Sequence, residues 1–369
     1  MKKDLSVSDI QDLIVGATIL GVGGGGNPND GLRSLMEQHD AGRKLTVWSL
    51  DEFSESDFFA SPYFVGSVAP PDPNKKRAPK TVDDPVRVAF RLLEEKLGRK
   101  ISATVATEIG GGNTAASLAI ASKLGIPAAD GDLMGRAGPE LHQSTTHIFG
   151  VPMVPAGIAS ETGNEVLIGK ASSIDDYEAI ARYCSVVSGG HVAVVDSSLT
   201  IEDARKCIVK GTISKCIELG RIRREAVSKG KDPTLDIARS LDNGRVIFEG
   251  QVSNYTWKDE RGFLFGEVHV KGTESFSGMA LRSWIMNEHI MCWINDKPAV
   301  MPPDLIAFLE PDTGYGITND RLKEGMHVKV IGASIVAMWR KPKGLEFFGP
   351  RRFGLDYDYV PFESISPVS

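Results

Sequence analysis

The sequence predicts an α/β N-terminal domain, a largely parallel sheet flanked by helices, followed by a β-rich, barrel-like C-terminal domain. Up to about residue 170, helix-like and strand-like segments alternate, the pattern of strands joined by crossover helices. Beyond Gly244, strand follows strand with turn signals at roughly ten-residue spacing, as in a barrel or sandwich. Between the two, "TIEDARKCIVKGTISKCIELGRIRREAVSKG" is helical in composition and period, a lead-in to the second half. Domains of 1–168 and 169–369 follow, the second with its helical segment near 200–230.

Taken in order, "SVSDIQDLIVGATIL" sets Ile10, Leu13, Ile14, Ala17 and Ile19/Leu20 at near-helical spacing behind Ser8, a candidate N-cap. "GVGGGGNPNDG", Gly21 to Gly31, must then be a loop, because the consecutive glycines Gly23, Gly24, Gly25 and Gly26 weaken any helix or strand. They suit a nest of backbone N–H groups around a polar ligand, or a tight turn; the glycines alone do not choose. A P-loop needs Gly-Lys-Ser/Thr where Asn27 and Pro28 stand, and a dinucleotide fingerprint needs a strand where a helix precedes. "KLTVWSL" and "PYFVGSVA" read as short strands, and "VDDPVRVAFRLLEEKLG" as a helix with Val88, Leu92, Leu93 and Leu97 near one face. "ISATVATEI" is a buried strand, "NTAASLAIASKLG" a helix capped by Asn113 or Thr114 and ended by Gly125, and "IPAAD" a strand again. In the second half the strands are "RVIFEGQVSNYTW", "FLFGEVHVKG", "MALRSWIMNEHIMCWIN", "DLIAFLEP" and "HVKVIGASIVAMW".

Composition narrows the partners. The 369 residues carry a net charge of −6 with both signs mixed along the chain, which points away from nucleic acid and toward a small-molecule substrate. No apolar run reaches the ~18 residues of a membrane span, and a cytoplasmic home with no membrane partner is expected. Cys184, Cys207, Cys216 and Cys292 form no CxxC pair, so neither a disulfide framework nor a thiolate zinc site is indicated. A homo-oligomer is the expected assembly.

Chemistry concentrates between Ala106 and His147. A second glycine loop, Gly110, Gly111 and Gly112, joins a strand ending at Glu108 to a helix starting at Asn113. A carboxylate and helix N–H groups then lie together at a strand's C-terminal end, where open α/β sheets bind ligands. The next strand ends in "DGDLMGR": Asp130 and Asp132 point the same way in a strand and diverge in a loop, so they fit a shared metal, a base with its modulator, or helix-end acids. Arg136 offers a planar fork for a substrate carboxylate or an ion pair. Glu140, His142, His147 and His191 are weaker candidates, and Cys184 is better explained as a buried thiol. In the β-rich half, Asn287 and Glu288 interrupt an apolar stretch, so the pair anchors a turn or reaches into the cleft between the halves. The basic segment "WRKPKGLEFFGPRRFGLDYDY" is balanced by acids and reads as a packed tail.

"ILGVGGGGNPNDG", "ATEIGGGNT", "DGDLMGRAGPEL", "GTISKCIELGRI", "NEHI", "PPDLIAFLEPDTG" and "GPRRFGLDYDYVPF" occur in an order that resembles the S-methyl thiohydantoin desulfurase family over nearly the whole chain. The resemblance implies the same two-part architecture and hydrolytic loss of methanethiol from an S-methylated thiohydantoin, leaving a hydantoin. Relatives often resemble partners of hydantoinase and oxoprolinase enzymes, so a hydantoinase-type partner and a non-catalytic role beside it form the alternative. The chain departs from the pattern at "GSVAPPDPNKKR", where a Gly-Ala-Pro turn is usual, and at Gly138, where a bulky aromatic is common. Spacing and family position together assign water activation to Asp130 and Asp132, through a divalent metal such as zinc. Glu108 binds a ring N–H, and Arg136 meets a carboxylate or developing charge. Gly23 to Gly26, Asn27, Gly111, Gly112, Asn113 and Glu288 line the substrate.

Overall fold

In the computed structural model, which describes residues 2–67 and 78–366, the first half contains β1 (Lys2–Asp4), α1 (Val7–Leu20), α2 (Pro28–Asp40), β2 (Thr46–Trp48), β3 (Phe58–Gly66), α3 (Pro85–Leu97), β4 (Ala103–Ala106), α4 (Asn113–Leu124) and β5 (Ala128–Asp132). There follow α5 (Thr145–Phe149), β6 (Ala156–Ala159), β7 (Glu165–Ile168), α6 (Ile174–Val187), β8 (His191–Thr200), α7 (Ile201–Cys207), β9 (Val209–Lys210), α8 (Thr212–Ser228) and α9 (Pro233–Arg239). The strands form one sheet in the order β1-β2-β5-β4-β3-β8-β6-β7, with β9 added beside β5. Its middle, β2-β5-β4-β3, is parallel as expected. The flanking pairings are antiparallel, so the sheet is mixed. A short turn joins β6 to β7, and a connection of that length permits only an antiparallel partner.

The helices end where their residues dictate, with two differences from expectation. α1 is capped by Ser6, not Ser8: the Ser6 hydroxyl accepts from the Asp9 N–H while the Asp9 carboxylate accepts from the Ser6 N–H, a reciprocal capping box. α4 has no side-chain cap. Instead the Gly25 carbonyl accepts from the N–H groups of Gly112 and Asn113 at 3.0 and 3.1 Å, which leaves the Asn113 side chain free for other work. The long helical stretch expected at 200–230 is broken into α7 and α8 by β9, which pairs with β5.

The first sheet continues past position 168, because β8 pairs with β3 and β6, and β9 with β5. α8 crosses α1 so closely that a Cβ on Gly16 would lie 2.0 Å from the Cys216 carbonyl oxygen, and one on Gly220 2.1 Å from that of Asp12. Arg224 on α8 closes the crossing by donating to both oxygens of Asp12.

The second half is antiparallel: β10 (Arg245–Glu260), β11 (Phe263–Gly272), β12 (Ala280–Met286), β13 (Glu288–Ile294), β14 (Lys297–Val300), β15 (Leu305–Leu309) and β16 (His327–Ala333), with α10 (Pro342–Phe348) near the end. The order β14-β13-β12-β11-β10-β16-β15 makes a seven-stranded sheet. Register shifts near Val252, Val246 and Trp284 curl it into a half-barrel, since a bulge sharpens local twist. "MALRSWIMNEHIMCWIN" is two strands, not one, reversing at Asn287 with φ 55°. Phe248, Leu264, Val268, Ile285, Phe308 and Val330 fill the concave face. A separate core runs across both halves: Ile10, Leu13 and Ala17 of α1 and Leu118 of α4 pack with Leu305, Leu309 and Ile331. No helix among the described residues is long and apolar enough to cross a membrane.

Candidate functional site

β4 ends at Ala106, and the chain leaves the sheet through Thr107 to Gly112 before entering α4. Glu108 sits in this turn, buried, with Oε1 accepting from Asn113 Nδ2 at 2.6 Å and Oε2 from the Gly138 N–H at 2.9 Å. Asn113 Oδ1 in turn accepts the Phe64 N–H of β3 at 3.0 Å. Across a cleft of about 500 Å³ lies the reversal between β12 and β13. Asn287 pins it by exchanging hydrogen bonds with the backbone of Leu264, and Glu288 follows. Asn287 and Glu288 therefore do both things their sequence allowed: one anchors a turn, and both line the cleft.

Glu288 is 2% exposed; Oε1 accepts the Gly25 N–H at 3.3 Å, and Oε2 is buried without a partner. The glycines make room for it, since a Cβ on Gly24 would lie 1.9 Å from Glu288 Oε1. Gly25 and Gly26 take φ of 73° and 83°, where side chains are strained. They also abut the second loop: a Cβ on Gly25 would sit 2.5 Å from the Gly110 Cα. The two loops thus interlock. The Gly24 and Gly25 N–H groups are engaged by the Gly21 carbonyl and Glu288, so these two amides serve the loop itself rather than a nest for substrate oxygens. Gly23, Gly26 and Asn27 line the cleft, and the Asn27 side chain caps α2 by accepting from the N–H groups of Asn29 and Asp30. Gly112 and Asn113 also line it, whereas Gly111 packs against Pro28 behind the wall.

Burial dominates the electrostatics. It pushes the Glu108 carboxyl up to about 7 against the pull of the Gly138 N–H and the Asn113 amide. It drives Glu288 well above the ordinary range, helped by the charge of Glu108 and opposed by Arg136 and Arg182. Two carboxyl groups brought from opposite halves therefore share one cleft in which the doubly ionised state is disfavoured, the condition for one to hold a proton while the other accepts one.

The remaining sequence candidates lie behind this pair. Arg136 is fully buried; Nε donates to the Ala137 carbonyl, Nη1 to those of Pro303 and Asp304, and Nη2 to that of His289. It clasps the halves together and has no fork to offer a substrate. Asp130 receives the Ser214 N–H and hydroxyl on its two oxygens, capping the first turn of α8. Asp132 is buried and accepts from the N–H groups of Met134 and Gly135 on Oδ2, its pKa raised to about 7 by burial. The structure places this pair outside the cleft lining. Both Asp130 oxygens and Asp132 Oδ2 are committed to helix and turn donors, while Asp132 Oδ1 is buried without a partner. Among the described residues no group of three or more His, Cys, Asp or Glu side chains is gathered for a metal. Among the described residues this pair lacks the three protein ligands that a catalytic zinc site uses.

Family comparison agrees with this two-part layout. The S-Me-THD-like N-terminal domain model matches residues 8–170, and the S-Me-THD-like C-terminal domain model matches residues 172–362. The chain belongs to the S-Me-THD-like family. This is the S-methyl thiohydantoin desulfurase family that its motifs resemble. Among curated proteins nothing matches. A solved structure of a protein from Chromobacterium violaceum, a structural genomics target, is similar in fold with TM-score 0.76 at 22% identity, covering 98% of this chain and 100% of that one.

In this S-Me-THD-like chain the cleft also holds residues that the sequence did not single out. Arg182 of α6 donates to Glu178 and to the carbonyls of Gly66, Gly262 and Pro139, and so ties α6 and the β10–β11 turn to the cleft wall. Thr318 lines the cleft with a buried hydroxyl that has no partner, and Asn319 donates to the Asn287 carbonyl at 2.7 Å. Neither segment has a motif of its own; only the turn glycines of "DTGYGITND" marked the second as a loop. His191 and Glu140 line the cleft, while His142 pairs with Asp175 and His147 is held neutral by burial, at about 4. Gly138 lies at the cleft, where its N–H serves Glu108. Of the other departure, Gly66 and Ser67 line the cleft and residues 68–77 lie outside the described residues.

Proposed function

We propose that this cleft hydrolyses a small five-membered cyclic imide or thiohydantoin, releasing methanethiol from an S-methyl thiohydantoin to leave a hydantoin. The observation that carries the reading is the meeting of Glu108 and Glu288, buried carboxyls from opposite halves, in one cleft of suitable volume. Membership of the S-Me-THD-like family supports the substrate class.

In this mechanism ionised Glu108, held by Asn113 and Gly138, takes a proton from water as the water oxygen bonds to the ring carbon bearing sulfur. Glu288, kept protonated by burial, donates to the ring nitrogen as the C=N bond opens. Collapse of the tetrahedral carbon breaks the C–S bond. The thiolate leaves with the proton from Glu108, and the new hydroxyl returns its proton to Glu288 as the carbonyl forms. One water is consumed and both carboxyl groups regain their starting states. A thiolate needs little assistance to depart, because its conjugate acid is already fairly acidic.

The test is thiol release from S-methyl thiohydantoins by wild-type protein and by Glu108→Gln and Glu288→Gln, with folding checked by circular dichroism. Each variant is expected to lose about 10²–10⁴-fold in kcat/KM. Folded variants that release thiol at the wild-type rate sink the assignment. Wild-type protein that binds the ring and releases no thiol favours a non-catalytic binding subunit.

A further inference from the structure

We infer that Thr318 is a specificity-determining residue of this cleft: its hydroxyl donates to the ring carbonyl next to the nitrogen that Glu288 protonates. The inference rests on the ring-hydrolysis reading and adds which edge of the ring meets which wall.

Thr318 lines the cleft and is 5% exposed, and its Oγ1 is buried with no partner among the described residues. Its place is fixed by the next residue. The Asn319 N–H donates to the Gly23 carbonyl at 2.8 Å and Asn319 Nδ2 to the Asn287 carbonyl at 2.7 Å, so the segment is bound to the glycine loop and to the reversal that carries Glu288. Tyr255 donates its hydroxyl to the Asn319 carbonyl at 2.9 Å. The turn that follows closes on the Thr318 carbonyl, which accepts from the N–H groups of Arg321 and Leu322. A threonine hydroxyl at such a turn ordinarily bonds to nearby backbone. This one does not, although other hydroxyls on the cleft wall are engaged within the protein, that of Tyr63 with Asp196 and that of Ser144 with Thr146.

A buried hydroxyl left without a partner costs stability, and a ligand that supplies one recovers it. With Glu288 protonated, Oε1 accepts the Gly25 N–H and the unpartnered Oε2 is the oxygen free to carry the proton. Glu288 and Thr318 then present two neutral O–H donors on one wall. An S-methyl thiohydantoin has a matching edge, where the C=N nitrogen lies between the sulfur-bearing carbon and the carbonyl carbon, so two acceptors stand in succession. The other ring nitrogen adjoins a saturated carbon and offers no second acceptor. Binding by the first edge therefore selects the nitrogen that is protonated, and a ring lacking the carbonyl leaves Thr318 unmatched.

Isothermal titration with hydantoin and 2-imidazolidinone, neutral rings that differ by a carbonyl against a methylene, tests this without requiring turnover. Hydantoin is expected to bind wild-type protein about tenfold tighter. That advantage is expected to shrink to about twofold or less in Thr318→Val, or in Thr318→Ala should Thr318→Val fail to fold, and to persist in Thr318→Ser. A purely structural role for Thr318 would weaken both rings alike. Equal binding of the two rings by wild type, full retention of the advantage in Thr318→Val or Thr318→Ala, or its loss in Thr318→Ser overturns the assignment of Thr318 while leaving the ring reading intact. If wild type releases thiol but binds neither ring measurably, the variants are compared in kcat/KM, where Thr318→Val at the wild-type value overturns the assignment. If it neither binds these rings nor releases thiol, the ring reading falls and this inference falls with it.

Discussion

Asn113 joins two elements through one amide: its oxygen accepts from Phe64 of β3, and its nitrogen donates to Glu108. The first bond fixes which end of the amide faces the carboxylate. Asn113→Ala is expected to lower kcat for thiol release by about 10–100-fold with a smaller change in KM, because the base loses its position rather than its charge. Removing a donor from the ionised form also raises the Glu108 pKa further, so the rising limb of the pH–rate profile is expected to move to higher pH. An unmoved limb in a folded, impaired variant would assign Asn113 to structure alone. In the wild type the same logic gives a rate that rises through about pH 7 as Glu108 ionises and falls at higher pH as Glu288 loses its proton. Glu108, Asn113 and Glu288 were legible in the sequence because polar residues beside glycines or inside an apolar strand need a reason. Arg136 was legible as important but not in its role, since nothing in "DGDLMGR" shows that the carbonyls of residues 289, 303 and 304 will surround it.

The two glycine loops work as a pair. Gly25 caps α4 through its carbonyl, and its own φ of 73° and the contact with Gly110 leave no space for a side chain. Gly25→Ala is expected to destabilise the protein by about 1–3 kcal/mol through backbone strain, read from urea unfolding, and to reduce activity by displacing Glu108. Asp130→Ala should behave differently. It removes the Ser214 contacts at the start of α8 and is expected to cost about 0.5–2 kcal/mol of stability, with thiol release by the folded fraction close to wild type. Loss of catalysis without loss of stability would restore Asp130 to the chemistry. The sequence placed the first loop after α1 and the second at the start of α4, yet it could not show that one loop supplies the cap of the other's helix. It likewise could not show that the acids of "DGDLMGR" face α8, because that contact depends on β9 turning the chain back toward β5.

Across the whole molecule, buried acids set the response to pH. Glu108 and Asp132 rise to about 7 and Glu288 rises further, so above their unfolded values the native state holds more protons than the unfolded one. Stability therefore declines as pH increases through these folded values. His147 and His289, held neutral at about 4 and about 3, act in the opposite sense only below about pH 6.5. The melting temperature is thus expected to fall between pH 6.5 and 8, with a shallower slope in Glu108→Gln and Glu288→Gln. A flat or rising curve in wild type would contradict the burial of these groups. The alternation of elements and the change near Gly244 made both sheets readable. The antiparallel flanks of the first sheet were not, since β8 returns to β3 through tertiary packing with no local signal. Because Glu108 and Glu288 come from different halves, neither half holds a complete acid–base couple. Under the proposed mechanism turnover is then a reporter of lobe association, and separately made fragments 1–243 and 244–369 are expected to be silent alone and to regain turnover only to the extent that they reassemble.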